Sequence, residues 1–204
     1  VALDARIVVD SRASGNNDSR LRPYSHLAIR PYPEEFIRPA ALNDGTNVLL
    51  RPIRPEDELM WHEMLGACSQ QTILFRFFAQ FKKTTHNMAA RYCFIDYDRE
   101  MAIVAEVVEA CGRKRLVGVG RLVADADHRE AEYAVLVQDE FHGRGLGSLL
   151  TNYCMEICQQ WGIETVVIET SPTNRMMLGL VAHRGFELTR MDEDDIVIGR
   201  KKLR

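Results

Sequence analysis

Ala131-Glu132-Tyr133-Ala134-Val135-Leu136-Val137, then His142-Gly143-Arg144-Gly145-Leu146-Gly147-Ser148, then residues 149–161 read as strand, glycine loop and helix in direct succession. The helix is written in its apolar positions. Leu146, Leu149, Leu150, Tyr153, Cys154, Ile157, Cys158 and Trp161 recur at steps of three and four, which keeps them on one face, and Gly162 is a fitting stop. Glycines at alternate positions 143, 145 and 147 let main chain approach a ligand closely. The unpaired N–H groups of a helix start attract phosphate, so the run predicts a ligand bearing a pyrophosphate. A nucleotide P-loop fits poorly, because no Lys-Ser/Thr pair follows the last glycine. A dinucleotide fingerprint would need glycine where Ser148 stands, although Glu164 and Glu169 lie at about the right distance for its acid.

What surrounds the run argues against a parallel dinucleotide fold. Residues 101–110, 116–125 and 131–137 are strand-like, and the stretches between them are short and polar, so antiparallel hairpins are the natural connection. Upstream, Asn43-Asp44-Gly45 is a turn signal, residues 48–53 form a strand, and Arg54-Pro55-Glu56-Asp57 opens a helix reaching Gly66. Shorter helices are predicted at 70–78 and 85–94. Downstream come a β-branched strand at 165–168, a helix from Ser171-Pro172 to near Gly185, and strands at 186–190 and 196–201. The class is α/β, with a mixed, mostly antiparallel sheet flanked by helices.

Residues 1–46 are different. Residues 1–10 alternate like a strand, but a polar run follows, and Pro23, Pro31 and Pro33 favour extended chain. Arginines and acids balance there, and core material is scarce. The expected division is an extended stub or linker over 1–46 and a folded domain over 47–204. The first residue is Val1, which reads as a chain beginning partway through a longer one.

Composition narrows the function. The chain has 204 residues, 46% hydrophobic and 27% charged, as in an ordinary globular protein. A net charge of −3 is too weak for broad binding to nucleic acid, and no apolar run is long enough to span a membrane. Cys68, Cys93, Cys111, Cys154 and Cys158 lack CxxC spacing; Cys154 and Cys158, four apart on one helix face, suit buried core thiols, and the setting reads as reducing and cytoplasmic. The histidines are scattered without ligand spacing, so no metal is expected.

His142-Gly143-Arg144-Gly145-Leu146-Gly147 resembles the Q/R-x-x-G-x-G/A signature of the GNAT acetyltransferases, with histidine at its first position. A second family segment, N-x(10)-G-F, is matched by Asn174 through Gly185-Phe186. The resemblance covers about residues 47–204 and implies the GNAT fold with acetyl-CoA as co-substrate. It implies that main-chain amides from Gly143 through Arg144, Gly145, Leu146 and Gly147 to Ser148 cradle the pyrophosphate. His142 stands at the loop's entry. The strand at Val135, Leu136 and Val137 would bond the pantetheine arm, and Asn174 would lie near the co-substrate, although capping its own helix is the local alternative. Leu50-Arg51-Pro52-Ile53-Arg54-Pro55-Glu56-Asp57-Glu58, Phe75-Arg76-Phe77-Phe78 and Ile95-Asp96-Tyr97-Asp98-Arg99-Glu100-Met101-Ala102 look like the Pat-type protein lysine acetyltransferases. In that group the domain is fused behind a module similar to ADP-forming acyl-CoA synthetases. Ala2-Leu3-Asp4-Ala5-Arg6-Ile7 is similar to the end of that module's ATP-grasp part, and Arg22-Pro23-Tyr24-Ser25-His26-Leu27-Ala28-Ile29 to the connector behind it.

The expected reaction is acetyl transfer to a lysine ε-amine of a protein, for instance an acyl-CoA synthetase. A free lysine has a pKa near 10.4, so only about one amine in a few thousand is neutral at pH 7, and a base must take its proton. Glu132 is the candidate, since the Ala131–Val135 run resembles the Pat version; Glu130 points to the same side and is the weaker choice. Many GNAT enzymes place a proton-donating tyrosine seven residues after the second motif's asparagine. Here that residue is Val181, so solvent is expected to protonate the thiolate. A small-amine acetyltransferase and a non-catalytic acyl-CoA sensor governing a ligase module remain alternatives. Asp125, Asp127 and the acidic run Asp192-Glu193-Asp194-Asp195 would favour a cationic acceptor if they lie near the opening.

Overall fold

A computed structural model describes residues 30–81, 83–191 and 195–203. The strand expected at 1–10, the connector at 22–29 and the acids at 192–194 lie outside the described residues. Among the described residues eight strands make one sheet: β1 Arg38–Ala41, β2 Asn47–Pro52, β3 Glu100–Val108, β4 Lys114–Ala124, β5 Glu130–Val137, β6 Thr165–Thr170, β7 Glu187–Met191 and β8 Ile196–Lys202, in the order β1-β2-β3-β4-β5-β6-β8-β7. Every pairing is antiparallel except β5 with β6. The helices are α1 Glu58–Gly66, α2 Gln70–Phe77, α3 His86–Cys93, α4 Leu146–Trp161 and α5 Arg175–Ala182. This is the mixed, mostly antiparallel architecture expected of a GNAT fold. Among the described residues no helix is long and apolar enough to cross a membrane.

The sheet buries both faces. On one side α4 packs Leu146, Leu150, Cys154, Ile157 and Cys158 against β3–β6, as the apolar stripe requires. Two glycines of β4 permit that approach. A Cβ at Gly120 would come within 2.9 Å of Cys154 Sγ, and one at Gly118 within 3.2 Å of Leu146. On the other side α1–α3 supply Trp61, Met64, Leu65, Ile73 and Cys93 over Ala102, Val104, Leu116 and Leu136. Strand alternation therefore sends Tyr133 of β5 toward α4, and Glu132 and Leu136 toward α1–α3. Burial holds the Cys154 thiol well above its ordinary pKa and pushes Cys68, Cys93 and Cys158 to about 12, so these are packing residues.

The first strand was not foreseen. β1 contains Pro39, which cannot donate a ladder bond, and its register opposes Pro39 to Leu49 of β2. An edge strand tolerates that loss because only one side is paired. Arg38 also ties β1 to α4, with Nη1 2.8 Å from Glu156 Oε2 and the guanidinium 4.1 Å from the Tyr153 ring centroid. The boundary expected at residue 46 therefore cuts a hairpin that belongs to the sheet. Helix starts also differ from expectation: residues 55–57 form a short 3-10 turn ahead of α1, and α5 begins at Arg175, four residues after Ser171.

Beneath α1 lies a buried ion cluster. Arg51 makes a two-pronged contact with Asp57, both distances 2.7 Å, and donates from Nε to Glu106 Oε2 at 2.9 Å. Lys114 Nζ reaches Glu106 Oε1 at 3.0 Å, and Asp57 also accepts the Arg54 N–H at 2.8 Å. Burial opposes charge on Arg51, but the two carboxylates more than offset it and raise the guanidinium's pKa.

Candidate active site

Strands β5 and β6 part company early. They pair only at Glu130–Thr165, Ala131–Val166 and Glu132–Val167, yet β5 continues to Val137 and β6 to Thr170. Which main-chain groups the gap exposes follows from the β4 ladder. Asp125 N–H bonds Glu130 C=O and Gln138 N–H bonds Val117 C=O, so the even-numbered residues of β5 are committed to β4. Val135 consequently presents its N–H and C=O groups to the gap, and Val137 its N–H, because the Val137 C=O is taken by His142. The main chain of Leu136 faces β4 instead, which leaves its side chain as its contribution to the site.

His142 turns back on this strand. Its Nε2–H donates to Val137 C=O at 2.8 Å, and its own N–H bonds Asp139 C=O at 3.1 Å. The imidazole therefore braces the strand's end where the family's Gln or Arg would stand. From there the loop runs through Gly143 at φ 73° and Gly145 at φ 88°, left-handed conformations that favour glycine. The first helical bond of α4 is Leu149 N–H to Gly145 C=O at 2.9 Å. The N–H groups of Leu146, Gly147 and Ser148 thus have no helical acceptor. Helices α2, α3 and α5 are capped, with Ser69 Oγ accepting from Thr72 N–H, Thr85 Oγ1 from Met88 N–H, and Asn174 Oδ1 from Met177 N–H, whereas α1, which follows a 3-10 turn, has no side-chain cap. Helix α4 has no side-chain cap. A long helix left open at its N-terminus, behind a glycine loop, fits an anion such as pyrophosphate.

These elements border one cavity of about 940 Å³, whose wall includes Glu132, Val135, Leu136, Val137, His142, Gly143, Gly145, Gly147, Ser148 and Asn174. Arg144 and Leu146 contribute only main chain to the loop. The Arg144 side chain lies 3.3 Å from Asp44 Oδ2 and 4.9 Å from the Phe141 ring centroid, while Leu146 is fully buried as the loop's anchor. Asn174 caps α5, donates from Nδ2 to Thr170 Oγ1 at 3.0 Å, and borders the cavity. Glu132 is exposed on the last paired rung before the gap. Glu130 is engaged elsewhere, 3.0 Å from Arg200 Nη1. Val181 is fully buried. Asp125 accepts the Arg129 N–H at 2.7 Å within its turn, and Asp195 lies 3.3 Å from Arg190.

Residues outside the expected set complete the wall. Asn43 donates its N–H to Arg144 C=O at 3.1 Å, and its side chain lies over Gly145 so closely that a Cβ there would come 2.8 Å from Oδ1. The Asn43-Asp44-Gly45 signal marks a turn, but only the tertiary fold brings that turn to the loop. Asp139, just past β5, accepts from Ser69 Oγ at 2.6 Å, Ser69 N–H at 2.8 Å and Thr72 Oγ1 at 3.0 Å. Burial opposes its charge, but these donors win and hold its carboxyl below the usual range. It ties the loop's entry to the start of α2. Phe75, Arg76, Phe77, Phe78 and Tyr92 close the α2–α3 side, opposite Glu132 and Glu169.

The chain resembles known proteins in sequence and fold. Residues 71–186 fit the model of the acetyltransferase (GNAT) family. The chain is 32% identical over 155 residues to acetyltransferase PA5475 of Pseudomonas aeruginosa, covering 76% of this chain and 82% of that one. Among solved structures, the GNAT domain of S. lividans PAT superposes with a TM-score of 0.76 at 25% identity, over 85% of this chain and all of that one. Mycobacterium smegmatis RimJ, solved with CoA-disulfide, gives a TM-score of 0.65 at 17% identity over 82% of this chain and 87% of its own. With an open strand edge, an uncapped helix behind a glycine loop and this kinship, the chain belongs to the GNAT acetyltransferase family and is an N-acetyltransferase.

Proposed function

We propose that the chain transfers acetyl from acetyl-CoA to the ε-amine of a lysine in a protein acceptor, for example an acyl-CoA synthetase, with Glu132 as general base. One observation carries the reading: Glu132 sits at the fork of β5 and β6, exposed in the wall of the cavity that the phosphate-binding loop enters. Acetyl-CoA supplies an activated acyl carbon. The main-chain amides of 143–148 hold its diphosphate, and Val135 and Val137 align the pantetheine arm along β5. Glu132 takes a proton from the acceptor ammonium, directly or through water, and the freed nitrogen attacks the thioester carbonyl. A main-chain N–H of the Val135–Val137 segment polarises the carbonyl oxygen, the nitrogen gives up its second proton to solvent, the C–S bond breaks, and solvent protonates the departing thiolate. With a buried valine at 181, no hydroxyl from that position competes for the role.

Likeness to the S. lividans PAT domain supports a protein acceptor, as do the segments that look like the Pat type. In the family's fused form the domain would follow a ligase-like module in the cytoplasm. The test is transfer of labelled acetyl to an acyl-CoA synthetase, with CoA affinity measured in parallel. Glu132→Gln is expected to lower kcat by about 10²- to 10⁴-fold while CoA affinity holds. Equal turnover by wild type and variant would remove Glu132 from the mechanism, and turnover only on small amines would replace the acceptor class.

A further inference from the structure

Arg76, in the last turn of α2, lies in the cavity wall among Phe77, Tyr92 and Glu132. It is partly buried, and among the described residues it makes neither a hydrogen bond nor an ion pair. Its nearest measured company is the Phe77 ring, whose centroid is 5.2 Å from the guanidinium carbon. Arg175 borders the same cavity, likewise without a side-chain hydrogen bond or ion pair among the described residues, but it opens α5, whereas Arg76 lies on α2, which packs against the strand that carries Glu132. Arg51 is locked between Asp57 and Glu106. Arg121, on the neighbouring strand, has Glu100 and the carbonyls of Tyr92 and Arg91. Burial lowers the pKa of Arg76; Tyr92 and Glu132 act the other way, while the charge of Arg121 adds to the lowering. The side chain is only partly buried, so water serves its donors in the free protein, and an unused five-donor fork bordering a cavity suits a planar anion.

The cavity therefore offers a carboxylate and an unpaired guanidinium on facing elements, β5 and α2. An acceptor amine bound at Glu132 would carry its neighbouring groups into the cavity that Arg76 also borders. From this pairing, and resting on the proposed role of Glu132, we infer that the acceptor is an amine bearing a carboxylate close by, received by Arg76 as the amine is received by Glu132. A bare cationic acceptor such as a polyamine would be repelled there. Two sources share that chemistry: a protein lysine with an acidic neighbour, and a free amino acid.

The experiment measures thiol release from acetyl-CoA with paired acceptors. One pair is a lysine peptide with Glu beside the lysine and its Gln counterpart. Free amino acids with their amides, and a polyamine, form the other arms. In wild type the carboxylate-bearing member is expected to be favoured by about tenfold to a hundredfold in kcat/KM, the range of one charge-assisted contact. In Arg76→Gln the ratio should fall toward one through the KM for the acidic acceptor, with Arg76→Lys retaining part of it and the KM for acetyl-CoA unmoved. Preference in the peptide pair assigns a protein acceptor, and preference in the amino-acid pair a small one. A wild-type ratio near one, a KM effect on acetyl-CoA instead of the acceptor, or preference for the polyamine would overturn the inference and leave the acetyltransferase intact. Loss of turnover on every amine in wild type would overturn the role proposed for Glu132 together with it.

Discussion

Gly145 shows how tightly single residues are held. Its φ of 88° strains any side chain, and the space a Cβ would need belongs to the amide of Asn43. Gly145→Ala should cost about 1–2 kcal/mol for the left-handed backbone alone, and more for displacing Asn43. The expected outcome is a raised KM for acetyl-CoA with a lower Tm, read by steady-state kinetics and thermal melting. Gly143→Ala makes the comparison, because it shares the positive φ but has nothing within 4 Å of the added carbon. At this scale the sequence was legible wherever chemistry is local. The loop glycines stand out in the string because backbone freedom is a near-neighbour property, whereas strand parity alone left Glu130 and Glu132 equivalent and the choice of Glu132 rested on resemblance. Asn43 and Arg76 were not legible as site residues, since their meaning depends on what α2 and the first hairpin are folded against.

Among elements, the short turn at Asp139–Phe141 does more than connect β5 to the loop. Asp139 receives three donors from the start of α2, so the phosphate loop and the α2–α3 wall are fixed to one another. Asp139→Ala should lower stability by about 1 kcal/mol in urea titration and raise the KM for both substrates, whereas a residue that merely caps a helix would spare kinetics. The sign of the pH effect follows from the depressed carboxyl. The bonds contribute fully above the ordinary aspartate pKa and are lost as pH falls through the lower folded value. Element by element, periodicity located α4 and the three central strands, because each buries one face over many residues. The edge strand β1 escaped because Pro39 argues against a strand, and only its place at the margin of the sheet makes proline acceptable. The real start of α5 escaped because Asn174 caps it after a turn that Ser171-Pro172 resembles.

For the molecule as a whole, the Arg51 cluster joins β2, β3, β4 and the approach to α1. Arg51→Met would leave Asp57 and Glu106 buried without their shared partner, and the expected loss is about 3–5 kcal/mol in urea denaturation. Burial pushes Glu106 up, but Lys114 and Arg51 prevail and leave its carboxyl below the ordinary glutamate value. Its contribution is therefore complete above that value and drains away as pH drops through the folded one, so acid unfolding should shift to higher pH in the variant. Neither effect could be read from the string, where Glu106 lies 55 residues from Arg51 and nothing marks the two as partners.

The short β5–β6 pairing has a mechanical consequence. Strands β1–β5 and strands β6–β8 meet along a seam of three rungs, with α4 as the main strap across it. A molecule that lies along the free edge of β5 would stitch that seam further, acting as a borrowed stretch of strand. Hydrogen exchange at Val135 and Val137 should then slow when CoA is added, while the amides of Ala134 and Leu136, already tied to β4, change little. Uniform slowing across β5 would mean that the two leaves tighten as a body instead.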